Sequence, residues 1–206
     1  MEPFATLSGS AVPREEANLD TNQLCPTRFN KVPKGPRFAQ ILLHDRRFYA
    51  DGSEKPEYIL NQEPYRHAVI AAAGRNFGVG SSRETAVFGL IGFGIRCVIA
   101  PSFGDIFFGN ALRNGLLPVR LPGATVAALM RQLIAQRGAQ LGIDLPSQTV
   151  TGPDGRSIAS RSRTPGNTPP PSGGSRTMRR NHSRGSIPDP AVSAVIFSCP
   201  QNAIRR

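Results

Sequence analysis

Residues 67–103 limit the possible folds more than any other stretch of this chain. The run "HAVIAAAG" (67–74) is short, apolar and closed by Gly, which reads as a buried strand. A glycine-bearing loop, "RNFGVG", leads from it into Ser81-Ser82-Arg83-Glu84, where Ser81 and Glu84 have the Ser-x-x-Glu spacing of a capping box. A helix is therefore expected from about Ser82. Gly92 and Gly94 suit its end, and "RCVIAPSF" (96–103), rich in branched apolar residues, reads as the next strand. This strand–loop–helix–strand unit calls for a mixed α/β fold around one sheet system.

The flanking segments extend that pattern. "GDIFFGNALRNG" reads as a second short helix stopped by Gly115, and "LLPVRL" as a strand that Pro118 interrupts or places at an edge. In "GATVAALMRQLIAQRG", Val126, Leu129, Met130, Leu133 and Ile134 recur at the spacing of one helical face, with Gly138 as the stop. A hairpin is expected from "LGIDL" and "SQTVTG", with Pro153-Asp154-Gly155 making a turn. Upstream, "FATLSG", "AQILLH" and "YIL" look like short strand pieces between Pro- and Gly-bearing loops.

Composition matters most where it changes. The 206 residues carry a formal charge of +11, yet residues 1–156 hold 17 basic and 13 acidic side chains, whereas residues 157–206 hold 8 and 1. That last quarter is rich in Ser, Arg and Pro, a composition too poor in apolar surface to offset the entropy of ordering, so a disordered basic tail is expected at 157–206 behind a domain at 1–156. Within the tail only "AVSAVIF" (191–197) suits a strand. Arg163, Arg176, Arg179, Arg180 and Arg184 have the charge to neutralise phosphates, but no aromatic side chain stands among them to stack on bases, which argues against nucleic acid as a partner. The start "MEPFATLSGS" lacks the basic and apolar regions of a secretory signal. "AVFGLIGFGI" is too short to span a bilayer. Cys25, Cys97 and Cys199 are far apart and in no metal-ligand spacing, so no metal site is expected in this chain and a cytoplasmic location fits.

The loop "GRNFGVGSSRE" is the best candidate for chemistry. Its glycines allow close backbone approach, a following helix start presents unpaired N–H groups, and Arg83 adds a planar fork that fits a carboxylate or phosphate. Gly78-x-Gly80 lacks the third Gly of a dinucleotide fingerprint, and there is no Lys for a P-loop. No Gly-x-Ser-x-Gly elbow accompanies His44, His67 or His182, so a hydrolase triad has no support. The same residues also fit a plain helix cap, with Arg83 a surface side chain.

"GRNFGVGSSRETA" closely resembles the signature of the swivelling domain of the aconitase superfamily. "ANLDTNQLCPTRF" (17–29), "LLHDRRF" (42–48), "ILNQEPYR" (59–66) and "IAPSFGDIFFGNALRNGLLPV" (99–119) are similar to blocks of the 3-isopropylmalate dehydratase small-subunit family, in the family's order. The resemblance covers residues 1 to about 156. It implies a swivelling β/β/α domain that closes over a larger subunit, as a heterodimer or heterotetramer. That larger subunit would hold a 4Fe-4S cluster, with no cofactor bound by this chain. The implied reaction interconverts 2- and 3-isopropylmalate by losing and regaining water, in leucine biosynthesis. The departing hydroxyl needs a Lewis acid, which the cluster iron would supply, while this chain would supply a base and a carboxylate clamp for a small dicarboxylate. By resemblance Ser81 is the base and Arg83 the clamp, with Asp20, Thr21, Asn76, Gly78, Gly80 and Ser82 lining the substrate. Ser81 as a cap and Ser81 as a base compete, and Ser82 is an alternative cap.

Other readings stay open. Asp20 and Thr21 also suit a simple turn before Pro26; Asp45, Arg46 and Arg47 read as surface or interface charges, His44 as a loop residue, and Cys25 as a small core residue. Asn22 stands where the family usually has Asp, Thr85 where it usually has His, and Gly109 where it usually has Asn. Family members continue past "TGPDGR" with a strand, a Leu-rich helix and an Asp-Asp-Ile-Gly segment, none of which is evident after Arg156. A shifted reading frame in a GC-rich gene would give such an ending. Translating codons 150–206 in the other two frames tests this, and no Leu-rich helix in either would contradict it. The alternatives to the isopropylmalate reading are a related small subunit of homoaconitase or citraconate type, or a non-catalytic remnant whose basic tail binds nucleic acid.

Overall fold

The computed structural model describes residues 5–159 apart from 34 and 36. The expected tail and its 191–197 segment lie outside the described residues, save for Ser157–Ala159. Seven strands form one sheet in the order β4-β3-β2-β1-β5-β6-β7: β1 (Thr6–Arg14), β2 (Ile70–Ala73), β3 (Cys97–Ala100), β4 (Leu117–Arg120), β5 (Gln140–Asp144), β6 (Thr149–Thr151) and β7 (Ser157–Ala159). The helices are α1 (Thr21–Leu24), α2 (Phe38–Ile41), α3 (His44–Arg47), α4 (Thr85–Phe93), α5 (Asp105–Arg113) and α6 (Gly123–Ala135). The mixed α/β expectation therefore holds.

Strand β1 joins two halves of different character. Its first part, Thr6 to Ser10, pairs antiparallel with β5, and its second, Ala11 to Arg14, pairs parallel with β2. Because Ser10 and Arg14 turn their carbonyls to the β2 side while Ala11 donates to Ala139 on the other, the nitrogen of Pro13 faces away from β2, where β5 has ended. A proline is tolerated there because no ladder bond is lost. Pro118 has the same licence, since β4 pairs only with β3 and is an edge.

Alternation along the parallel strands sends side chains to two cores. Ile70, Ala72, Cys97, Ile99 and Val119 pack with Val126, Leu129, Met130 and Leu133 of α6. Ala71, Ala73, Val98 and Ala100 pack under α4, α5 and the 19–65 segment. Ile134, expected on the buried face of α6, is 49% exposed, because Leu133 takes the inward position and turns its neighbour out.

Several expectations need correction. "AQILLH" and "YIL" are not strands but α2, the start of α3 and a 3₁₀ turn at Ile59–Asn61. Helix α4 begins at Thr85, not Ser82, and Gly92 lies inside it; Gly94, at φ 116°, is the residue that stops it. A Cβ on Gly92 would stand 2.8 Å from Cβ of Phe38, so this glycine lets α2 lie against α4. Arg47 is buried, not a surface charge: Nε donates to Asn61 Oδ1 at 3.0 Å and Nη1 to the carbonyls of Ala39 and Leu42. The Pro153-Asp154-Gly155 turn joins β6 to β7, while residues 145–148 connect β5 to β6. Strand β7 thus follows directly after Arg156, where the sequence predicts the start of the tail.

Candidate active site

Past the C-terminal ends of β1, β2 and β3 the chain continues as three short parallel pieces in the same order. Asp20 bridges Val79 and Phe77 bridges Phe103, tied by Gly78 N–H to the Leu19 carbonyl at 2.7 Å, Thr21 N–H to Val79 at 2.9 Å and Phe77 N–H to Ser102 at 3.0 Å. Crevices beyond the carboxyl ends of parallel strands are where α/β sheets place ligands. Gly78, at φ 73°, makes this approach possible, since a Cβ there would stand 2.3 Å from the Phe107 ring. The loop carrying Ser81 and Arg83 rises directly from this platform.

The capping box does not form. Glu84 is the N-cap of α4 and makes no side-chain cap bond; its Oε1 accepts from Asn114 Nδ2 at 3.2 Å instead. Ser81, four residues ahead of the helix, has its Oγ 3.0 Å from Thr21 Oγ1 and accepts from Arg83 Nε at 2.5 Å. The competition between capping and chemistry at Ser81 is thereby removed, and Ser82, which is exposed, takes no cap either. Among the described residues, the amides of Ser82, Arg83 and Glu84 have no acceptor, so three donors remain at this mouth.

Arg83 spends its fork on three neutral oxygens: Ser81 Oγ, Thr27 Oγ1 (from Nη1, 2.6 Å) and Asn22 Oδ1 (from Nη2). Thr27 Oγ1 also donates to Asn22 Oδ1 at 2.8 Å, which closes the ring of contacts. Among the described residues no carboxylate lies within ion-pair distance of Arg83. A half-exposed guanidinium without a counter-charge, beside a serine hydroxyl and unpaired amides, can receive a carboxylate and stabilise a negative oxygen.

The other expected residues divide. Thr21 is buried and joins Ser81 directly, its Oγ1 also accepting from Ser81 N–H at 3.0 Å. Gly80, at φ 108°, leaves room for that hydroxyl, which would be 3.3 Å from an added Cβ. Asp20 is turned into its own helix, where Oδ1 accepts from Gln23 N–H at 2.8 Å and Oδ2 from Gln23 Nε2 at 3.0 Å. Burial pushes its carboxyl up, but these hydrogen bonds, the Asn22 amide and Arg46 together outweigh that and hold it below the ordinary carboxylate value. Asn76 bonds Asn18 and Ser102, and the Gly78 amide is spent on Leu19; both shape the base of the loop.

Three positioning residues escaped the sequence reading. Thr27 and Asn22 hold Arg83, although in the sequence Asn22 stands out only as a departure from the family pattern. Asn110, 2% exposed, donates from Nδ2 to the Ser82 carbonyl at 3.0 Å. Its signal was an Asn in line with Phe107 and Ala111 on the buried face of α5. Cys25 is fully buried near this group; burial pushes its thiol up, against smaller opposing effects of Thr85 and Arg83. Among the described residues no three His, Cys, Asp or Glu side chains gather as a metal-binding group, and no helix is long and apolar enough to cross a membrane.

The family model of the aconitase C-terminal domain matches residues 1–124, and a second, LeuD_N, matches 127–159. The 3-isopropylmalate dehydratase small subunit of Gluconacetobacter diazotrophicus is 48% identical over 159 residues, covering 77% of each chain; that of Rhodospirillum rubrum is 45% identical with the same coverage. A crystal structure of 3-isopropylmalate dehydratase from Methanocaldococcus jannaschii shares the fold at a TM-score of 0.55 and 24% identity, over 75% of this chain and 80% of that one. With a curled mixed sheet, a Ser81–Arg83 mouth at its strand ends and relatives of this identity and coverage, the chain belongs to the family of 3-isopropylmalate dehydratase small subunits.

Proposed function

We propose that this chain is the small subunit of a cytoplasmic hydro-lyase that isomerises 2-isopropylmalate and 3-isopropylmalate in leucine biosynthesis. A larger partner, in a heterodimer or heterotetramer, closes over the Ser81–Arg83 mouth. The observation that carries this reading is Arg83, whose charge is met among the described residues only by Ser81, Thr27 and Asn22 oxygens and so remains available to one carboxylate of a diacid. The amides of Ser82, Arg83 and Glu84 add donors to the same anion.

Ser81 Oγ, as its alkoxide, takes the proton from the carbon next to a substrate carboxylate. The C–H electron pair becomes the alkene π bond, and hydroxide leaves the neighbouring carbon; re-addition of water with the opposite placement completes the isomerisation. A serine oxygen is basic enough only where its anion is stabilised, and Arg83 Nε at 2.5 Å is a charged donor aimed at it. Among the described residues, the buried and separate Cys25 and Cys97 do not fit an iron–sulfur cluster. The 4Fe-4S group, which supplies Lewis acidity toward the leaving hydroxyl when bound, is assigned to the partner.

The test is conversion of 2-isopropylmalate by the full 206-residue chain purified with its large subunit, followed by NMR. Formation of 3-isopropylmalate supports the reading. An assembled complex that ignores isopropylmalate but hydrates another unsaturated diacid favours a homoaconitase- or citraconate-type substrate. Failure to associate with any large subunit overturns the enzymatic reading.

A further inference from the structure

We infer that Thr21 is a positioning residue for Ser81, the second fixed donor that holds the serine oxygen as an anion. This rests on the proposed role of Ser81 and goes beyond it, because the family resemblance places Thr21 only against the substrate.

Thr21 Oγ1 accepts from Ser81 N–H at 3.0 Å and lies 3.0 Å from Ser81 Oγ, so one hydroxyl grips both the backbone and the side chain of the same residue. A two-point grip fixes the serine rotamer. Ser81 Oγ also accepts from Arg83 Nε, which has no lone pair to return. When Ser81 carries its proton, that proton has two places: toward Thr21, or away toward the open side. When Ser81 has lost it, Thr21 must donate, since its own hydrogen is the one left between the two oxygens. The alkoxide is then held by the Thr21 O–H and the Arg83 N–H together, and a proton arriving from the open side leaves both donors in place.

The surroundings make Thr21 a rigid donor. It is 2% exposed, its N–H is bonded to Val79 and its carbonyl to the Cys25 amide, and Asp20 caps the helix that begins with it. Gly80 supplies the space: a side chain there would press on Thr21 Oγ1 at 3.3 Å, in a backbone conformation (φ 108°) that favours glycine. Burial of so polar a contact is costly unless both partners are satisfied, and here each oxygen satisfies the other.

Thr21→Val removes the hydroxyl at nearly constant shape, and Thr21→Ser restores it. In the complex with the large subunit, Thr21→Val is expected to lower kcat about a hundredfold, the loss seen when one donor to a reacting oxyanion is removed. KM stays within about threefold, and the limb of the kcat profile that reports the base moves to higher pH; Thr21→Ser recovers most of kcat and the original limb. Wild-type kcat in Thr21→Val overturns the inference, as does a fall with no shift of the pH limb. If Thr21→Val does not fold, Thr21→Ala carries the same readouts, and a Thr21→Ser variant as impaired as either also counts against it. Ser81→Ala, assayed alongside, separates the two levels: a dead Ser81→Ala with an unaffected Thr21→Val refutes Thr21 alone, whereas an active Ser81→Ala refutes the reading beneath it.

Discussion

Replacing Arg83 with lysine keeps the charge and removes the fork, which makes it the sharpest probe of the mouth. The guanidinium reaches Ser81 Oγ, Thr27 Oγ1 and Asn22 Oδ1 at once through Nε, Nη1 and Nη2. A single ammonium is a point donor and cannot hold Ser81 and stay flat against an incoming carboxylate at the same time. The loss is at least one charge-assisted hydrogen bond, about 1.5–3 kcal/mol. At about 1.4 kcal/mol per tenfold, that is a fall of roughly 10- to 150-fold in kcat/KM. Because Nε of Arg83 meets Ser81, the proposed base, while the guanidinium is also the proposed carboxylate clamp, both kcat and KM should change. Steady-state kinetics of the two-chain complex measure this, with thermal melting of the variant as a control for folding. Wild-type kcat/KM in Arg83→Lys would refute the clamp, and a loss matched by unfolding would refute the claim that the residue acts on substrate.

Other perturbations test the support beneath the mouth. Asp20→Ala should cost about 1 kcal/mol at neutral pH through the lost cap on α1. Since the folded state holds the Asp20 carboxyl below its ordinary value of 3.8, that stability is present above this pH and lost as acid protonates the folded carboxylate. Denaturation curves of wild type and variant should therefore converge below about pH 3.8, and a constant gap would contradict the assignment. Gly78→Ala places a Cβ 2.3 Å from the Phe107 ring at φ 73°, which should cost about 1–2 kcal/mol of backbone strain and about 1–3 kcal/mol of overpacking, read from chemical denaturation. Asn110→Ala strips the Ser82 carbonyl of its partner at an expected cost of about 1–3 kcal/mol. It should also lower kcat by moving the loop, and unchanged kinetics would show that Asn110 serves packing alone.

The parts of the fold that were legible in the sequence are those where one rule acts alone. Strands β2 and β3 are apolar on both faces, β2 is closed by Gly74 and β3 by Pro101, and α6 carries a clean apolar stripe, so their type follows from period and punctuation. Residues 39–44 and 58–60 misled because short apolar runs have no period to read. The turn of α2 is set by contact with α4, through features such as the space that Gly92 leaves for Phe38. The same holds at the site. Ser81 and Arg83 stood out by motif, yet the capping box was a local rule overruled by distant partners: Thr21 draws Ser81 away from the helix, and Asn114 draws off Glu84. Thr27 and Asn22 became visible only once α1 was folded against the loop, because no local spacing links residues 22, 27 and 83.

Ser81 is the group proposed to move the substrate proton. Exchange of the hydrogen on the carbon next to the substrate carboxylate, followed by NMR in heavy water with the intact two-chain complex, reports that step without requiring net turnover. For Ser81→Ala the expected result is loss of exchange by at least a hundredfold with isopropylmalate still bound within a fewfold of wild type; exchange at the wild-type rate would contradict Ser81 as the base.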